Sequence, residues 1–257
     1  MVLNIGFYMQ CAGMGFVFGD NVFFPGVENR KLVDIRQSHM DKDAVGPEIV
    51  YSIAMDIGRK TDKEDLVKRN LLFGACILSK GRIGNQPVYS QGHTHSVSKS
   101  CGCSTPELYE ILAGKAIVCM QEPNQRGNGI FYAINASAGD KVLVPPGWPH
   151  YTINALENEY MVFGAWCVRD YGFEYDYVKE HGGLSYYPVY DENTKVYFVH
   201  NDKYEENDII IKPPRVYKEF DIDAETDLYT QYIDNKNKFD FIADPQKTPG
   251  LWKAFLP

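Results

Sequence analysis

Gly139-Asp140-Lys141-Val142-Leu143-Val144-Pro145-Pro146-Gly147-Trp148-Pro149-His150, running on through Tyr151-Thr152-Ile153-Asn154, is an apolar strand run closed by a Pro-Pro-Gly turn that aims an imidazole. Upstream, His93-Thr94-His95 sets two more imidazoles two residues apart, so on a strand both point to the same face and can share one ion. Glu107 opens the run Glu107-Leu108-Tyr109-Glu110-Ile111-Leu112-Ala113-Gly114, in which Glu107, Tyr109 and Ile111 share one face of a strand that ends at a glycine turn. Taken singly, each histidine reads as an ordinary surface or core residue. Three of the six histidines, joined by one glutamate in strand register, outweigh that reading, whereas His39, His181 and His200 keep it.

Working outward, apolar and β-branched runs at 48–57, 71–79, 108–121, 130–134, 141–145 and 160–168 are separated by Gly, Pro, Asn or charged turns. That pattern predicts an all-β sandwich or barrel. The charged segment Gly58 to Asn70 is expected to be a solvated loop or one short helix without chemistry of its own. After about Phe198 the chain turns Tyr-, Asp- and Lys-rich; Ile209–Ile211 reads as one more strand and 225–235 as a helix. No repeat or low-complexity linker divides the 257 residues. A single domain is therefore expected, with an N-terminal arm (1–44), a metal-binding barrel core (45–185) and a C-terminal extension (186–257) that packs on the barrel or on a second subunit.

A net charge of -8 with dispersed acidic residues argues against a nucleic-acid or anionic-membrane partner, so an anionic ligand must be met locally. The chain start carries no basic leader, and Gln10, Asp20 and Asn21 interrupt its apolar stretch short of a membrane span; a cytoplasmic location is expected. Six cysteines without framework spacing suggest reduced thiols.

The two histidine stretches resemble the signature motifs of the cupin superfamily: His-x-His, then Glu, six residues and Gly in the first; Gly, five residues, Pro-x-Gly, two residues, His, three residues and Asn in the second. The resemblance implies a cupin (double-stranded β-helix, jelly-roll) barrel with elaborated ends and a metal held by His93, His95, Glu107 and His150. One departure is the eleven-residue gap Ser96 to Pro106, which holds Cys101-Gly102-Cys103. An outward course of that loop leaves the site unchanged and is expected; an inward course would bring a thiolate to the ion.

Imidazole and carboxylate ligands suit Fe, Mn, Ni, Co or Zn, and positions left open on a six-coordinate ion can chelate neighbouring oxygens. That geometry serves an open-chain α-hydroxy carbonyl sugar and equally the O₂ chemistry of a cupin dioxygenase. The chain also resembles the cupin-type glucose-6-phosphate isomerases, through Pro47-Glu48-Ile49-Val50-Tyr51, Ala75-Cys76-Ile77-Leu78, Ser90-Gln91-Gly92-His93-Thr94-His95, Glu107-Leu108-Tyr109, Val144-Pro145-Pro146-Gly147-Trp148-Pro149-His150 and Asp170-Tyr171-Gly172. This likeness spans about residues 45 to 185. It implies a metal-dependent isomerase of glycolysis and gluconeogenesis, with one divalent transition metal per subunit, iron first, a sugar-phosphate substrate and a homodimeric assembly. Glu107, His150 and Tyr171 would be its catalytic residues, and Tyr51, Ser90, the Gly92 amide and Tyr109 its substrate-binding ones.

Where that family commonly shows Thr, this chain has Ser90 and Cys76; the hydroxyl is kept at the first and replaced by a weak donor at the second. No Gly-rich phosphate loop is present, so hydroxyls and an amide would have to hold the phosphate, with help from Lys80 or Arg82. Proton transfer through an enediol and direct hydride shift both remain open. The competing readings are a cupin dioxygenase or other metal enzyme, and a non-catalytic sugar-binding cupin.

Overall fold

A computed structural model describes residues 1–123, 129–253 and 255–257. The strands that build the site are β1 (Glu28–Lys31), β2 (Ile49–Arg59), β3 (Leu71–Leu78), β4 (Thr94–His95), β5 (Glu107–Ala113), β6 (Lys115–Gln121), β7 (Phe131–Ser137), β8 (Lys141–Val144), β9 (His150–Asn154), β10 (Met161–Val168), β11 (Phe173–Glu174) and β12 (Ile209–Lys212). One sheet runs β8-β5-β10-β3-β2, with β1 and the short strand Val22–Phe23 both bonded to β2. The other runs β9-β6-β7-β12; β12 joins β7 in parallel and the other pairs are antiparallel.

Side-chain alternation along each strand explains how the sheets meet. Tyr109, Ile111, Phe163 and Ala165 of the first sheet pack in one core with Val118, Met120, Tyr132 and Ile134 of the second. This is the two-sheet jelly roll of a cupin, as the motifs implied. The barrel also draws strands from both ends of the chain: polar, edge-lying β1 comes from the first 44 residues and β12 from the last 72.

The outer face of the first sheet is covered too, which is why β3 and β10 are buried along their whole length. An N-terminal hairpin and the C-terminal segment lie on it, and Trp166 is enclosed by Phe73, Tyr229, Tyr232 and Phe239 with ring centroids 5.0–5.5 Å away. The charged 58–70 segment ends in a short helix, α1 (Lys63–Lys68), and it holds the C-terminal extension down. Asp62 accepts from Lys236 at 2.7 Å and from Tyr229 at 3.1 Å, Asp65 accepts from Tyr232 at 2.7 Å, and Arg69 meets Asp240 at 2.9 Å. The extension supplies α2 (Leu228–Asp234), capped by the Asp227 carboxylate on the Thr230 amide at 2.8 Å. Among the described residues no helix is long and apolar enough to cross a membrane.

Candidate metal centre and its cavity

His95 lies on β4, which pairs with β11, and His93 just before that strand is joined by an isolated β-bridge to His150 at the start of β9. Glu107 opens β5. The turn before His150 bends at Gly147, whose φ of +79 suits glycine, and the Gly147 amide is tied to the Ser104 hydroxyl at 3.0 Å. These paths bring one donor atom each from His93, His95, Glu107 and His150 to within 4.8 Å of one another.

The three imidazoles are oriented alike. Each Nδ1 meets a main-chain carbonyl: His93 that of Gln91 at 3.0 Å, His95 that of Thr105 at 2.9 Å, His150 that of Trp148 at 2.9 Å. A carbonyl only accepts, so Nδ1 carries the proton and Nε2 is the nitrogen turned to the centre. Nε2 of His95 and of His150 lie 3.2 and 3.3 Å from Glu107 Oε2, while His93 Nε2 is buried without a partner among the described residues. Lone pairs converging on a carboxylate call for a positive charge between them, either protons on the rings or one cation that displaces them. The donor set therefore fits a divalent transition metal. Burial would raise the Glu107 carboxyl, but the bonds and field of His150 and His95 outweigh it and hold its pKa well below the usual range. Burial, and then the neighbouring His150 and His95, push His93 well below its usual value.

Above this group opens a cavity with about 590 Å³ of empty space, open solvent at its mouth included. Alternate strand residues supply most of its wall: Tyr51, Ile53 and Met55 of β2, Gly74 and Cys76 of β3 with Ala75 between them, and Phe163, Ala165 and Cys167 of β10. Ser90, Gln91, Tyr109, Phe173 and Tyr175 complete it. The Tyr109 hydroxyl donates to Glu107 Oε2 at 2.8 Å, and the Cys167 thiol to Oε1 at 3.1 Å. Burial, reinforced by Glu107, raises the pKa of Tyr109, Cys76 and Cys167 well above their usual values, so all three face the cavity protonated.

Of the residues singled out in the sequence, Tyr51, Ser90, Glu107, Tyr109 and His93 line this cavity. Gly92 faces another way, with Val178 behind it. Tyr171 does not line the cavity: 38% exposed, it borders a neighbouring surface pocket, with its ring 5.2 Å from that of Phe173. Lys80 lies over Tyr160 and Arg82 pairs with Glu157, so neither expected cation lines the cavity. The Ser96–Pro106 loop runs outward: Ser98 and Ser100 are bound to Asp170, Gln246 donates to the Cys101 carbonyl at 2.8 Å, and neither thiol joins the ligand group. Three wall residues escaped the sequence reading. Cys167 lies on a strand buried on both faces, where alternation gives no clue; Phe173 follows the Asp170-Tyr171-Gly172 match on a strand of two residues, and Tyr175 comes just after that strand.

Residues 31–207 match the family described as glucose-6-phosphate isomerase. The enzyme of that name from Thermococcus litoralis is 30% identical over 182 residues, 68% of this chain and 86% of that one. The one from Pyrococcus abyssi is 30% identical over 206 residues, 77% and 98% of the two chains. Among solved structures, an oxalate oxidase overlaps at a TM-score of 0.36 and 14% identity, covering 49% of this chain and 55% of that one. An oxalate decarboxylase from Bacillus subtilis does so at 0.37 and 18%, covering 52% of this chain and 29% of that one.

Proposed function

Because the chain belongs to the glucose-6-phosphate isomerase family, we propose that it interconverts glucose 6-phosphate and fructose 6-phosphate with one divalent transition metal, iron first, on His93, His95, Glu107 and His150. The observation that carries this reading is that four-residue group, two of whose members, His93 and Glu107, line the cavity. The reading extends to a cytoplasmic homodimer working in glycolysis and gluconeogenesis, built as one domain across the whole chain.

When bound, the ion supplies Lewis-acid polarisation of a carbonyl and the hydroxyl beside it. The chain's own residues do the rest. The two oxygens of Glu107 have different surroundings: Oε2 faces the imidazoles and Tyr109, and Oε1 faces only the Cys167 thiol on the cavity wall. Oε2 would be the ligand oxygen, and Oε1 takes the proton from C2 of the open-chain aldose and returns it to C1, while the hydroxyl proton on O2 passes to O1. His150 and Tyr109 fix the carboxylate for that step. Tyr51 and Ser90 serve the phosphorylated sugar, while Phe173 on the cavity wall, with the Tyr171 ring against it, keeps water from the open-chain form.

The test is anaerobic conversion of fructose 6-phosphate to glucose 6-phosphate by chelator-stripped protein, with and without Fe, Mn, Ni or Zn. Turnover that metal restores in the native chain, and that Glu107→Ala and His150→Ala abolish, is the expected result; no turnover with any metal refutes the assignment. Glucose 6-phosphate deuterated at C2, run in the reverse direction, should lose part of its label to solvent, and complete retention would replace the proton route by a hydride shift.

A further inference from the structure

The Ser96–Pro106 loop lies between two of the candidate ligands, and nothing in the proposed reaction uses its two cysteines. Cys101 and Cys103 are half-exposed free thiols with their sulfur atoms 3.2 Å apart. Gly102 makes the approach: its φ of +70 reverses the chain between them, and its amide donates to the Ser98 carbonyl at 2.8 Å. A second backbone bond, Ser98 amide to Cys103 carbonyl at 2.9 Å, closes the turn. The other four cysteines, 11, 76, 119 and 167, are buried. The loop therefore presents a preassembled dithiol, reachable by a small reagent.

Its position gives it a line to the metal centre. Cys103 is followed by Ser104, whose hydroxyl donates to the His95 carbonyl at 2.9 Å and accepts from the Gly147 amide at 3.0 Å. Then comes Thr105, whose carbonyl holds His95 Nδ1 at 2.9 Å. Drawing two sulfur atoms from 3.2 Å to bonding distance moves the backbone at Cys103, and the next two residues are those that aim His95.

We propose that Cys101 and Cys103 form a reversible thiol–disulfide site, oxidised by a low-molecular-weight disulfide, whose closure turns His95 and loosens the metal centre. In the first step a thiolate of the pair attacks one sulfur of the small disulfide and expels a small thiol. In the second, the other thiolate attacks the mixed disulfide, forms the Cys101–Cys103 bond and expels the second small thiol. Both cysteines lose a hydrogen and the small disulfide is reduced to two thiols. A half-exposed ring closed through one glycine belongs to the labile class of disulfides, so a small thiol reverses the reaction.

The metal readout rests on the ligand assignment above, so the experiment carries two others that do not. Reduced native protein should show two accessible thiols and, after glutathione disulfide treatment, none, with the peptide holding 101–103 lighter by two hydrogens and the chain still monomeric in covalent terms. In metal-free protein the imidazole nitrogen resonances of His95 should shift on oxidation. Zinc retention against a chelator should fall on the order of tenfold, the scale at which residues holding a ligand act. Cys101→Ser and Cys101→Ala should abolish the two-hydrogen loss, the His95 shift and the fall in zinc retention, leaving at most a mixed disulfide at Cys103, and keep native zinc retention. A stable mixed disulfide, an intermolecular bond, or an internal disulfide that leaves the His95 resonances unmoved overturns the proposal. Reduced protein that binds no zinc while His95 still shifts would refute the ligand assignment and leave the thiol site standing.

Discussion

Glu110 sits on β5 one residue from inward-facing Tyr109, so it points out of the barrel and under the C-terminal extension. Its Oε2 accepts the Leu228 amide at the start of α2 at 2.7 Å, and Lys141 stands 3.5 Å from Oε1. Burial, partly offset by the Leu228 amide and Lys141, raises its pKa from 4.5 to about 6. A carboxyl raised on folding makes the native state bind more protons than the unfolded chain between those values. Stability must then fall as pH rises through that window. The difference of 1.5, at about 1.36 kcal/mol per tenfold in proton affinity, makes the loss about 2 kcal/mol. Glu110→Gln keeps an acceptor for Leu228 and removes the charge, and Lys141 retains the Gly139 and Ala224 carbonyls at 2.8 Å. Burial would raise Asp62, Asp65 and Asp170 too, but their hydrogen-bond partners hold them low, and their opposite slope is common to both proteins. Urea unfolding of metal-free protein from pH 4 to 7 should therefore show native stability falling by about 2 kcal/mol relative to the variant. Parallel curves would refute the assignment of that slope to Glu110.

Cys76→Thr puts a hydroxyl on the cavity wall, and a bond to a phosphate dianion of about 1.5–3 kcal/mol should lower KM for fructose 6-phosphate on the order of tenfold. Steady-state kinetics decide it, and an unchanged KM would mean that the phosphate lies elsewhere. Tyr109→Phe removes the donor 2.8 Å from Glu107 Oε2 and should weaken zinc binding on the order of tenfold in chelator competition, with the fold unchanged by circular dichroism. Trp166→Ala should cost about 3–5 kcal/mol in urea unfolding and expose the C-terminal extension to proteolysis, since the ring is fully buried against Tyr229, Tyr232 and Phe239.

The four side chains that converge were legible because a period of two is local: His93 with His95, and Glu107 with Tyr109, share faces whatever the rest of the chain does. The Pro-Pro-Gly turn placed His150 for the same reason. β1 was not legible, because Glu-Asn-Arg-Lys on an edge has no buried face to mark it as a strand. Cys167 was hidden by the opposite cause. Its strand is apolar at nearly every position, because the extension covers the face that would otherwise be wet, so the pattern cannot say which residues point inward. The clasp between α1 and the extension was illegible in a third way, since Asp62 and Asp65 meet partners about 170 residues away.

The atoms that aim the three imidazoles are the carbonyl oxygens of Gln91, Thr105 and Trp148. Every amino acid carries that oxygen. The side chains at those three positions can accordingly drift toward other tasks, lining a pocket or filling a gap, without untuning the ligands they precede or follow. What evolution must preserve there is the route of the chain, and an engineer grafting this centre onto another barrel would have to copy three stretches of backbone before choosing any of the residues around them.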